Sequence, residues 1–340
     1  MQRRALHDFH NVSVQCAEQL FQDIIFFPYS ILSSMNSDSF IVTDTEEGLR
    51  LDKLLAEVVP GCSRSYLQGI LKDGHVLVNG TRQKASYRAR EEDVITFDIP
   101  ERIAPDIAPE NIPLDILYED DDVLVVNKPK GMVVHPAPGH YSGTLVNAVL
   151  YHCGDSLSGI NGVLRPGIVH RIDRDTTGSV IICKNDLAHR SIAGQLKDHT
   201  IVRRYRAICY GVLKENDRTV NGAIGRDPRD RKRMAVVPES SGKHAVTHIH
   251  VLDRFRDYTE AECRLETGRT HQIRVHMAYI GHPLLGDSVY AGSRSSPYRL
   301  EGQCLHAAVL GFVHPSTGEY IETTAPLPEY YQHLLDILPR

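Results

Sequence analysis

Several features that identify common classes of protein are missing from this 340-residue sequence. No apolar run reaches the roughly 18 residues that a membrane-spanning helix requires, so the sequence predicts no membrane span. The seven cysteines are scattered and none belongs to a C-x-x-C pair, which argues against both a disulfide framework and a zinc knuckle. We therefore expect reduced thiols and a cytoplasmic location.

The sequence also lacks the short motifs of the common cofactor and nucleophile sites. It contains no G-x-x-x-x-G-K-S/T loop, no G-x-G-x-x-G and no G-x-S-x-G. His271 and His276 are five residues apart, about 140° around a helix, whereas two ligands of one metal ion need a spacing of three or four. The pair His248 and His250 has no third ligand nearby in sequence. We therefore predict neither a metal ion nor a cofactor, and carboxylates with arginines remain the best reactive groups.

The net charge of −5 argues weakly against a nucleic-acid partner, because proteins that bind phosphates are usually basic. The distribution of charge matters more than its sum, and here it is uneven. Residues 50–90 contain eight basic and three acidic side chains, a local net charge of +5. Residues 203–233 contain ten basic and four acidic side chains.

Four prolines between residues 100 and 113 disfavour a helix and indicate an extended connector. The length is sufficient for a large domain and a smaller module. We predict four segments: a poorly ordered extension (1–47), a small basic domain (48–99), a linker (100–114) and the catalytic domain (115–340). Met35 begins a polar lead-in, and we expect translation to start there rather than at Met1.

The hydrophobic pattern of the small domain predicts two helices followed by short strands. Leu51, Leu54 and Leu55 form one helical stripe, and Ser63 is a suitable N-cap for the second helix. An Asn-Gly turn at Asn79 then ends a short strand. A later strand over Val94–Phe97 completes the domain.

The pattern of the larger domain is mixed. Most successive strands lie too close together for helical crossovers, so an α+β fold with a largely antiparallel sheet is predicted. Thr270 is expected to cap one of its helices. The predicted strands are Val123–Asn127, Ser179–Lys184, Tyr205–Tyr210, Ala245–Leu252, Ala261–Leu265 and Leu305–Val313, and the predicted helices are Thr144–His152, Leu187–Lys197, Thr270–Ile280 and Glu329–Leu338.

Two segments of the larger domain concentrate the side chains that could do chemistry. The first, Gly167–Gly178, is rich in arginine, aspartate and threonine and precedes an apolar strand, a position from which a rigid sheet displays reactive groups. The second, Leu265–Met277, opens a helix that contains Arg274. On the residues alone, a salt-bridged turn is the commoner explanation of the first segment, and a cation on the helix surface is the commoner explanation of Arg274.

These segments resemble the sequence blocks of the RluA/RluD family of pseudouridine synthases. His170-Arg171-Ile172-Asp173 followed by Asp175-Thr176-Thr177-Gly178 is similar to the signature loop of that family. The stretch Asn127–Pro136 resembles its first block, and Thr267–His276 resembles its later, arginine-bearing block. The blocks occur in the family's order, and the likeness extends from about Gly48 to the C-terminus.

The basic module is similar to the RNA-binding domain named after ribosomal protein S4. Arg50-Leu51-Asp52-Lys53, Ser63-Arg64 and Val78-Asn79-Gly80 carry this resemblance. A module of this type indicates the RluD branch of the family, whose members act on the RNA of the large ribosomal subunit. The implied partner is therefore ribosomal RNA or its precursor, bound by a monomer.

The resemblance also implies a reaction and a set of residues. The protein would isomerise uridine to pseudouridine without a cofactor, with Asp173 as the catalytic carboxylate, Arg274 as its partner and Tyr205 against the uracil. Asp173 could attack C1′ or remove a ribose proton, and the sequence leaves both open. Arg171 matches the arginine that fills the space left by the extruded base. The other candidates for RNA contacts are Arg50, Lys53, Arg64, Lys72, Arg203 and Arg204.

Two rival functions come from other classes. A non-catalytic RNA-binding or ribosome-assembly protein would use the basic module alone and would have no need of Asp173. A metal-dependent hydrolase would use the histidines and would lose its activity to a chelator. Both rivals can therefore be tested directly.

Overall fold

The computed structural model describes residues 38–59, 64–99, 107–136, 140–154, 156–160, 162, 165–294 and 296–340, without the side chains of residues 64 and 65. The chain divides into two compact units between positions 103 and 104. Met35, the expected first residue, and Ser63, the expected N-cap, lie outside the described residues.

The first unit packs two helices against a four-stranded antiparallel sheet. Its elements are β1 (Asp38–Ile41), α1 (Leu51–Val58), α2 (Arg64–Asp73), β2 (Val76–Val78), β3 (Thr81–Arg82) and β4 (Val94–Phe97), and the strand order is β1-β4-β2-β3. The predicted stripe Leu51, Leu54 and Leu55 is buried in its core. Asn79 and Gly80 both have positive φ, as a two-residue hairpin turn between β2 and β3 requires.

Residues near both ends of the first unit differ from the predicted segments. Strand β1 pairs with β4 from Asp38↔Phe97 to Ile41↔Val94, so residues 38–41 belong to the sheet and not to an extension. Ile107 is buried in the core of the second unit, and the Glu110 N–H donates to Asn147 O at 2.9 Å. The last part of the proline-rich segment thus packs on the second unit.

The second unit is built on a nine-stranded mixed sheet. Its strands are β5 (Ile116–Glu119), β6 (Val123–Lys128), β7 (Thr177–Cys183), β8 (Val202–Tyr210), β9 (Asp217–Asn221), β12 (Val246–Arg254), β13 (Tyr258–Leu265), β14 (Leu305–Val313) and β15 (Tyr320–Thr324). The order is β5-β6-β7-β14-β8-β13-β12-β9, and β15 pairs with β14. Strands β7 and β14 run parallel, whereas the other described pairs are antiparallel.

Helices and a separate hairpin complete the second unit. The hairpin consists of β10 (Ile224–Arg226) and β11 (Met234–Val236), and the helices are α3 (Leu145–Cys153), α4 (Asp186–Lys197), α5 (Gln272–Tyr279) and α6 (Glu329–Ile337). All seven residues of β7 are buried, because the sheet is covered on both faces where β7 crosses its centre. This buried strand anchors the loop that precedes it.

The predicted α+β fold with a largely antiparallel sheet is confirmed, and the six strands and four helices predicted for the larger domain lie within a few residues of those observed. The predicted cap at Thr270 is wrong. His271 occupies the N-cap position of α5 in the left-handed conformation, and its side chain does not cap the helix. The turn that leads into α5 is instead stabilised by the Gln272 side chain, whose Oε1 accepts from Arg269 N at 2.9 Å.

Candidate active site

The loop before β7 presents Asp173 at the edge of the buried sheet. Within residues 167–178, the Thr176 N–H donates to the Asp173 carbonyl at 3.1 Å and closes a tight turn. Gly178 follows with φ +106°, and a Cβ at this position would lie 2.3 Å from the Ala307 carbonyl oxygen. Glycine is therefore required for the loop to pass this close to β14.

The first family-like block, Asn127–Pro136, binds the backbone of the same loop. Lys128 is buried at the end of β6, and its Nζ donates to the carbonyls of Pro129, Met132 and Arg174 at 2.8, 2.8 and 2.9 Å. The Gly131 N–H donates to the same Arg174 carbonyl at 3.0 Å. Because Arg174 directly follows Asp173, these bonds fix the backbone on which the carboxylate depends.

Arg274 links Asp173 to a second, buried carboxylate. Its Nη1 donates to Asp173 Oδ2 at 2.9 Å, while Nε and Nη2 bind Asp287 at 2.7 and 3.0 Å in a bidentate pair. Burial alone would lower the pKa of Arg274, but the hydrogen bonds and charge of Asp287, supported by Asp173, raise it above its usual value. The guanidinium is therefore a permanent cation that orients one oxygen of Asp173 and leaves Oδ1 free of it.

Tyr205 lies on β8, in register with Cys263 of β13 and Ala307 of β14. Its side chain lines the same cleft as Asp173 and is 8% exposed. Burial raises the pKa of Tyr205 above its ordinary value, with Arg203 opposing the shift. The phenol is therefore neutral at physiological pH and can offer both a flat ring and an O–H group.

The cleft around these residues has a volume of about 790 Å³. Among its described lining residues, Asp173 is the sole carboxylate. Six permanent cations face it, namely Arg165, Arg171, Lys197, Arg203, Arg269 and Arg274. A cleft of this size and charge accepts an anionic ligand larger than a single phosphate, with one carboxylate at its base.

Two of the predicted RNA-binding residues lie in this cleft. Arg171 is exposed, and its Nη1 lies 3.3 Å from His135 Nε2. Burial, with Arg171 contributing, lowers the pKa of His135 to about 4, so His135 acts as a neutral acceptor for Arg171. Arg203 is buried, its Nη2 donates to the Glu266 carbonyl at 3.1 Å, and no described carboxylate pairs with it. Both guanidinium groups are available for an incoming anion.

Arg204 is not in the cleft. Residues alternate between the two faces of β8, so Arg204 lies on the face opposite to Tyr205. Its Nη2 donates to Glu322 Oε1 at 2.9 Å, and its Nη1 lies 3.9 Å from Glu262 Oε2. The structure therefore separates Arg204 from the other predicted site residues and neutralises it with acids.

The remaining predicted RNA contacts belong to the first unit. Arg50 forms a bidentate ion pair with Asp52 at 3.0 and 3.2 Å, whereas Lys53 and Lys72 are exposed and have no described ion-pair partner. The Arg64 side chain lies outside the described part. Lys72 also lines a groove of about 630 Å³ together with Gln68, Leu71, Arg82, Gln83, Lys84, Ala85, Ser86 and Tyr87.

The hairpin β10–β11 has a basic tip formed by residues 226–233. Asp227 accepts a hydrogen bond from Arg229 N at 2.9 Å, and Asp230 accepts one from Lys232 N at 3.0 Å. Both carboxylates therefore bind backbone N–H groups of the turn. No ion pair to a described residue engages the basic side chains of the tip, which are Arg226, Arg229, Arg231, Lys232 and Arg233. With five basic and two acidic side chains, the tip carries a net positive charge.

Sequence reasoning did not single out several residues of the site. Asp287 binds Arg274, Lys128 binds the loop that carries Asp173, and His271 Nε2 lies 3.8 Å from Asp173 Oδ1. The signal for His271 is its position in the arginine-bearing block Thr267–His276. Asp287 gives no local signal, because its contact with Arg274 forms only after the chain has turned back beyond α5.

Among the described residues, no group of three or more His, Cys, Asp or Glu side chains could hold a metal ion. His248 is engaged by Thr219 and Glu266, and His250 by Asp217. No helix in the described ranges is long and apolar enough to cross a membrane.

Comparisons with known proteins agree with this arrangement. Residues 122–279 match the family model described as RNA pseudouridylate synthase, and residues 49–95 match the S4 domain. The chain is 53% identical, over 89% of its length and 99% of the relative, to the uncharacterized RNA pseudouridine synthase YlyB of Bacillus subtilis. It is 46% identical, over 87% of its length and 96% of the relative, to ribosomal large subunit pseudouridine synthase D of Zymomonas mobilis.

The solved structure of human RNA pseudouridylate synthase domain containing 1 is also similar. It superposes with a TM-score of 0.53 at 25% identity, over 64% of this chain and 85% of that one. The two matched domains define an enzyme that modifies RNA and carries a separate RNA-binding module. The chain belongs to the RNA pseudouridine synthase family, and the predicted membership is confirmed.

Proposed function

We propose that this enzyme converts uridines of large-subunit ribosomal RNA, or of its precursor, to pseudouridine, with Asp173 as the catalytic carboxylate. The reaction breaks the N1–C1′ bond, forms a C5–C1′ bond, and exchanges the proton on C5 for one on N1. It needs no oxidant or reductant, and the uracil that leaves C1′ is the group that is reattached. The observation that carries the proposal is a single carboxylate, ion-paired with Arg274, at the base of a cationic cleft.

Each remaining group of the cleft has a place in this reaction. Arg274 binds Oδ2 of Asp173, so Oδ1 is the oxygen that acts on the ribose, either on C1′ or on a ribose proton. Tyr205 lies where it can stack on the uracil, an interaction worth ~1–3 kcal/mol, and its O–H group can take part in proton transfer at C5. No metal ion or cofactor takes part in any of these steps.

The positive groups account for binding of the RNA. The target base must leave the stack at a cost of a few kcal/mol, and Arg171, exposed at the mouth of the cleft, takes its place. Arg203 and the basic tip of the hairpin bind phosphates, as do Lys53 and Lys72 of the S4 domain. The choice of ribosomal RNA rests on relatives named ribosomal large subunit pseudouridine synthase D. We further propose a cytoplasmic monomer.

The direct test is Asp173→Asn, assayed by pseudouridine formation in unmodified 23S ribosomal RNA. Turnover should fall by at least about a thousandfold, a barrier increase of ~4 kcal/mol, while the Kd for RNA changes little. Asp175→Asn is the matched control, since Asp175 lies two residues away in the same loop but pairs with Arg174. Turnover of Asp173→Asn within tenfold of wild type would contradict the assignment.

The same assay separates the rival functions. EDTA should leave the rate unchanged, whereas a metal-dependent hydrolase would stop and restart with zinc. A non-catalytic RNA-binding protein would bind the RNA but form no pseudouridine. Mapping pseudouridine in ribosomal RNA from cells with and without the gene then identifies the uridines that are modified.

A further inference from the structure

Tyr290 connects three parts of the active site. Its O–H group accepts a hydrogen bond from Met234 N at 3.0 Å and lies 2.8 Å from His271 Nδ1. Arg274 Cζ lies over its ring, 5.1 Å from the ring centroid, and its backbone N–H donates to Asp287 Oδ1 at 3.0 Å. One side chain thus contacts the β10–β11 hairpin, the arginine that binds Asp173 and the histidine beside Asp173.

The hydrogen bonds of Tyr290 determine which nitrogen of His271 carries the proton. A phenol has one proton to donate, and the Met234 N–H can only donate to its oxygen. Among the described residues, His271 Nδ1 is the one acceptor within hydrogen-bond distance of the hydroxyl. The hydroxyl therefore donates to Nδ1, and the proton of a neutral His271 resides on Nε2.

His271 directs this Nε2–H into the catalytic cleft. Nε2 lies 3.8 Å from Asp173 Oδ1, the oxygen that Arg274 leaves free. Burial lowers the pKa of His271, although Asp173 opposes the shift, so the ring is neutral near pH 7. A neutral ring makes the tautomer decisive, because only the protonated nitrogen can donate.

The backbone conformation at His271 does not favour a histidine. Its φ of +58° is in the left-handed region, where glycine or asparagine is less strained, and its ring provides no cap for α5. Local structure therefore gives no reason for histidine at this position. A strained residue beside a reactive oxygen points to a role in the reaction.

We propose that Tyr290 holds His271 as the Nε2–H tautomer, and that this N–H donates a hydrogen bond to O2 of the target uracil. The proposal rests on the proposed function and adds a catalytic residue, His271, and a positioning residue, Tyr290. O2 is the uracil acceptor nearest to C1′, where Asp173 acts. Negative charge develops on the uracil as the N1–C1′ bond breaks, and a preoriented donor stabilises it.

The tautomer can be observed without turnover by ¹⁵N NMR of the full chain labelled in histidine, with the His271 signals identified from their loss in His271→Asn. Wild type should show a protonated Nε2 and an unprotonated Nδ1. Tyr290→Phe keeps the ring beneath Arg274 and removes the hydroxyl, so the signature should shift towards a mixture of tautomers. Its kcat should fall roughly 10- to 100-fold with an unchanged KM. Tyr279→Phe, at an exposed tyrosine of α5, is the matched control.

A second pair of variants decides the point if Tyr290→Phe does not fold. His271→Asn keeps an N–H donor and tolerates the left-handed backbone, so it should retain more of kcat than His271→Ala. Equal kcat for these two, or a wild-type His271 protonated on Nδ1, overturns the proposal. Wild-type enzyme that forms no pseudouridine in any ribosomal RNA refutes the proposed function instead, and leaves the NMR result standing.

Discussion

At the scale of single residues, the site depends on a carboxylate that faces away from the cleft. Asp287 accepts two hydrogen bonds from Arg274 and further bonds from the N–H groups of Val289 and Tyr290. This network fixes the guanidinium before a substrate arrives. Nη1, the guanidinium nitrogen that Asp287 does not bind, is then directed at Asp173.

We predict that Asp287→Asn weakens both folding and catalysis. It leaves the buried Arg274 without its bidentate partner, so the free energy of unfolding should fall by about 3 kcal/mol. Urea unfolding gives this value, and the rate of pseudouridine formation should fall with it. Asp257→Asn is the control, because its pair with Arg256 is on the surface and contributes ~1 kcal/mol or less. Equal losses in the two variants would contradict this role of Asp287.

We predict that His170 makes the stability of the folded protein sensitive to acid. Its Nε2 accepts the Ile181 N–H at 3.1 Å, and burial, with Arg203 adding to it, lowers its pKa to about 3. In the unfolded chain His170 becomes protonated below its ordinary pKa of 6.5, whereas in the folded chain it stays neutral down to about pH 3. The free energy of unfolding therefore decreases as the pH falls from 6.5 towards 3.

The measurement is urea unfolding of wild type and His170→Gln between pH 7.5 and 5. Glutamine retains an acceptor but does not titrate, so the variant should lose less stability than wild type over this range. Carboxylates that titrate in both proteins cancel in the difference. Parallel curves would show that His170 is protonated equally in the folded and unfolded states.

The sequence predicted which candidate residues share the cleft better than it predicted the residues that support them. Asp173, Tyr205 and Arg274 were each implied by a block of the family pattern, and the structure brings all three into one cleft. Lys128 meets the Arg174 carbonyl 46 residues further along the chain, and Asp287 meets Arg274 only after the chain turns back beyond α5. These contacts form only in the folded unit and leave no periodic pattern in the sequence.

At the scale of elements, the loop that carries Asp173 is held between two strands. Gly178 allows the loop to pass close to β14, and Lys128 at the end of β6 binds three carbonyl groups around it. Burial lowers the pKa of Lys128 to about 7, with Asp175 and Asp173 opposing, while three carbonyl acceptors match the three protons of an ammonium group. Lys128 therefore fixes the position of the loop backbone.

Lys128→Met should preserve the side-chain volume and remove the ammonium group that binds the three carbonyls. The carbonyls of Pro129 and Met132 then lose a buried donor, and the free energy of unfolding should fall by at least about 2 kcal/mol. Thermal unfolding measures the loss, and the pseudouridine assay should show a lower kcat. The exposed Lys243→Met is the control for removal of a charge. A Tm like that of wild type would contradict the role of Lys128.

Elements with a buried face were predictable, and edge elements were not. Strand β14 was predicted with its observed bounds because its apolar side chains form a nearly continuous run. Strands β5, β9 and β15 were missed, since most of their residues are exposed or half-buried. Their positions are set by pairing with a neighbour and not by hydrophobic periodicity.

At the scale of the whole molecule, a net charge of −5 coexists with a positive cleft and a positive module. Acids compensate some cations, as Asp52 does for Arg50 and Glu322 does for Arg204. Cations without such partners remain in the cleft, at the tip of the hairpin and on the S4 domain. The sign of the total charge therefore gives no guide to the surface that RNA contacts.

The last prediction concerns the S4 domain, whose Lys53 and Lys72 are exposed and have no described ion-pair partner. Replacing both by glutamine removes two cations without disturbing the buried core, so RNA binding should weaken while kcat at saturating RNA is retained. Each lost phosphate contact flattens the dependence of log Kd on log salt by ~0.7–0.9, or ~1.4–1.8 for the pair. Filter binding to 23S ribosomal RNA at several salt concentrations measures the slope.

Lys214→Gln with Arg256→Gln removes the same charge from residues that do not line the cleft, and should leave the slope unchanged. Equal slopes for the two double variants would contradict the role of Lys53 and Lys72 as contacts to the RNA.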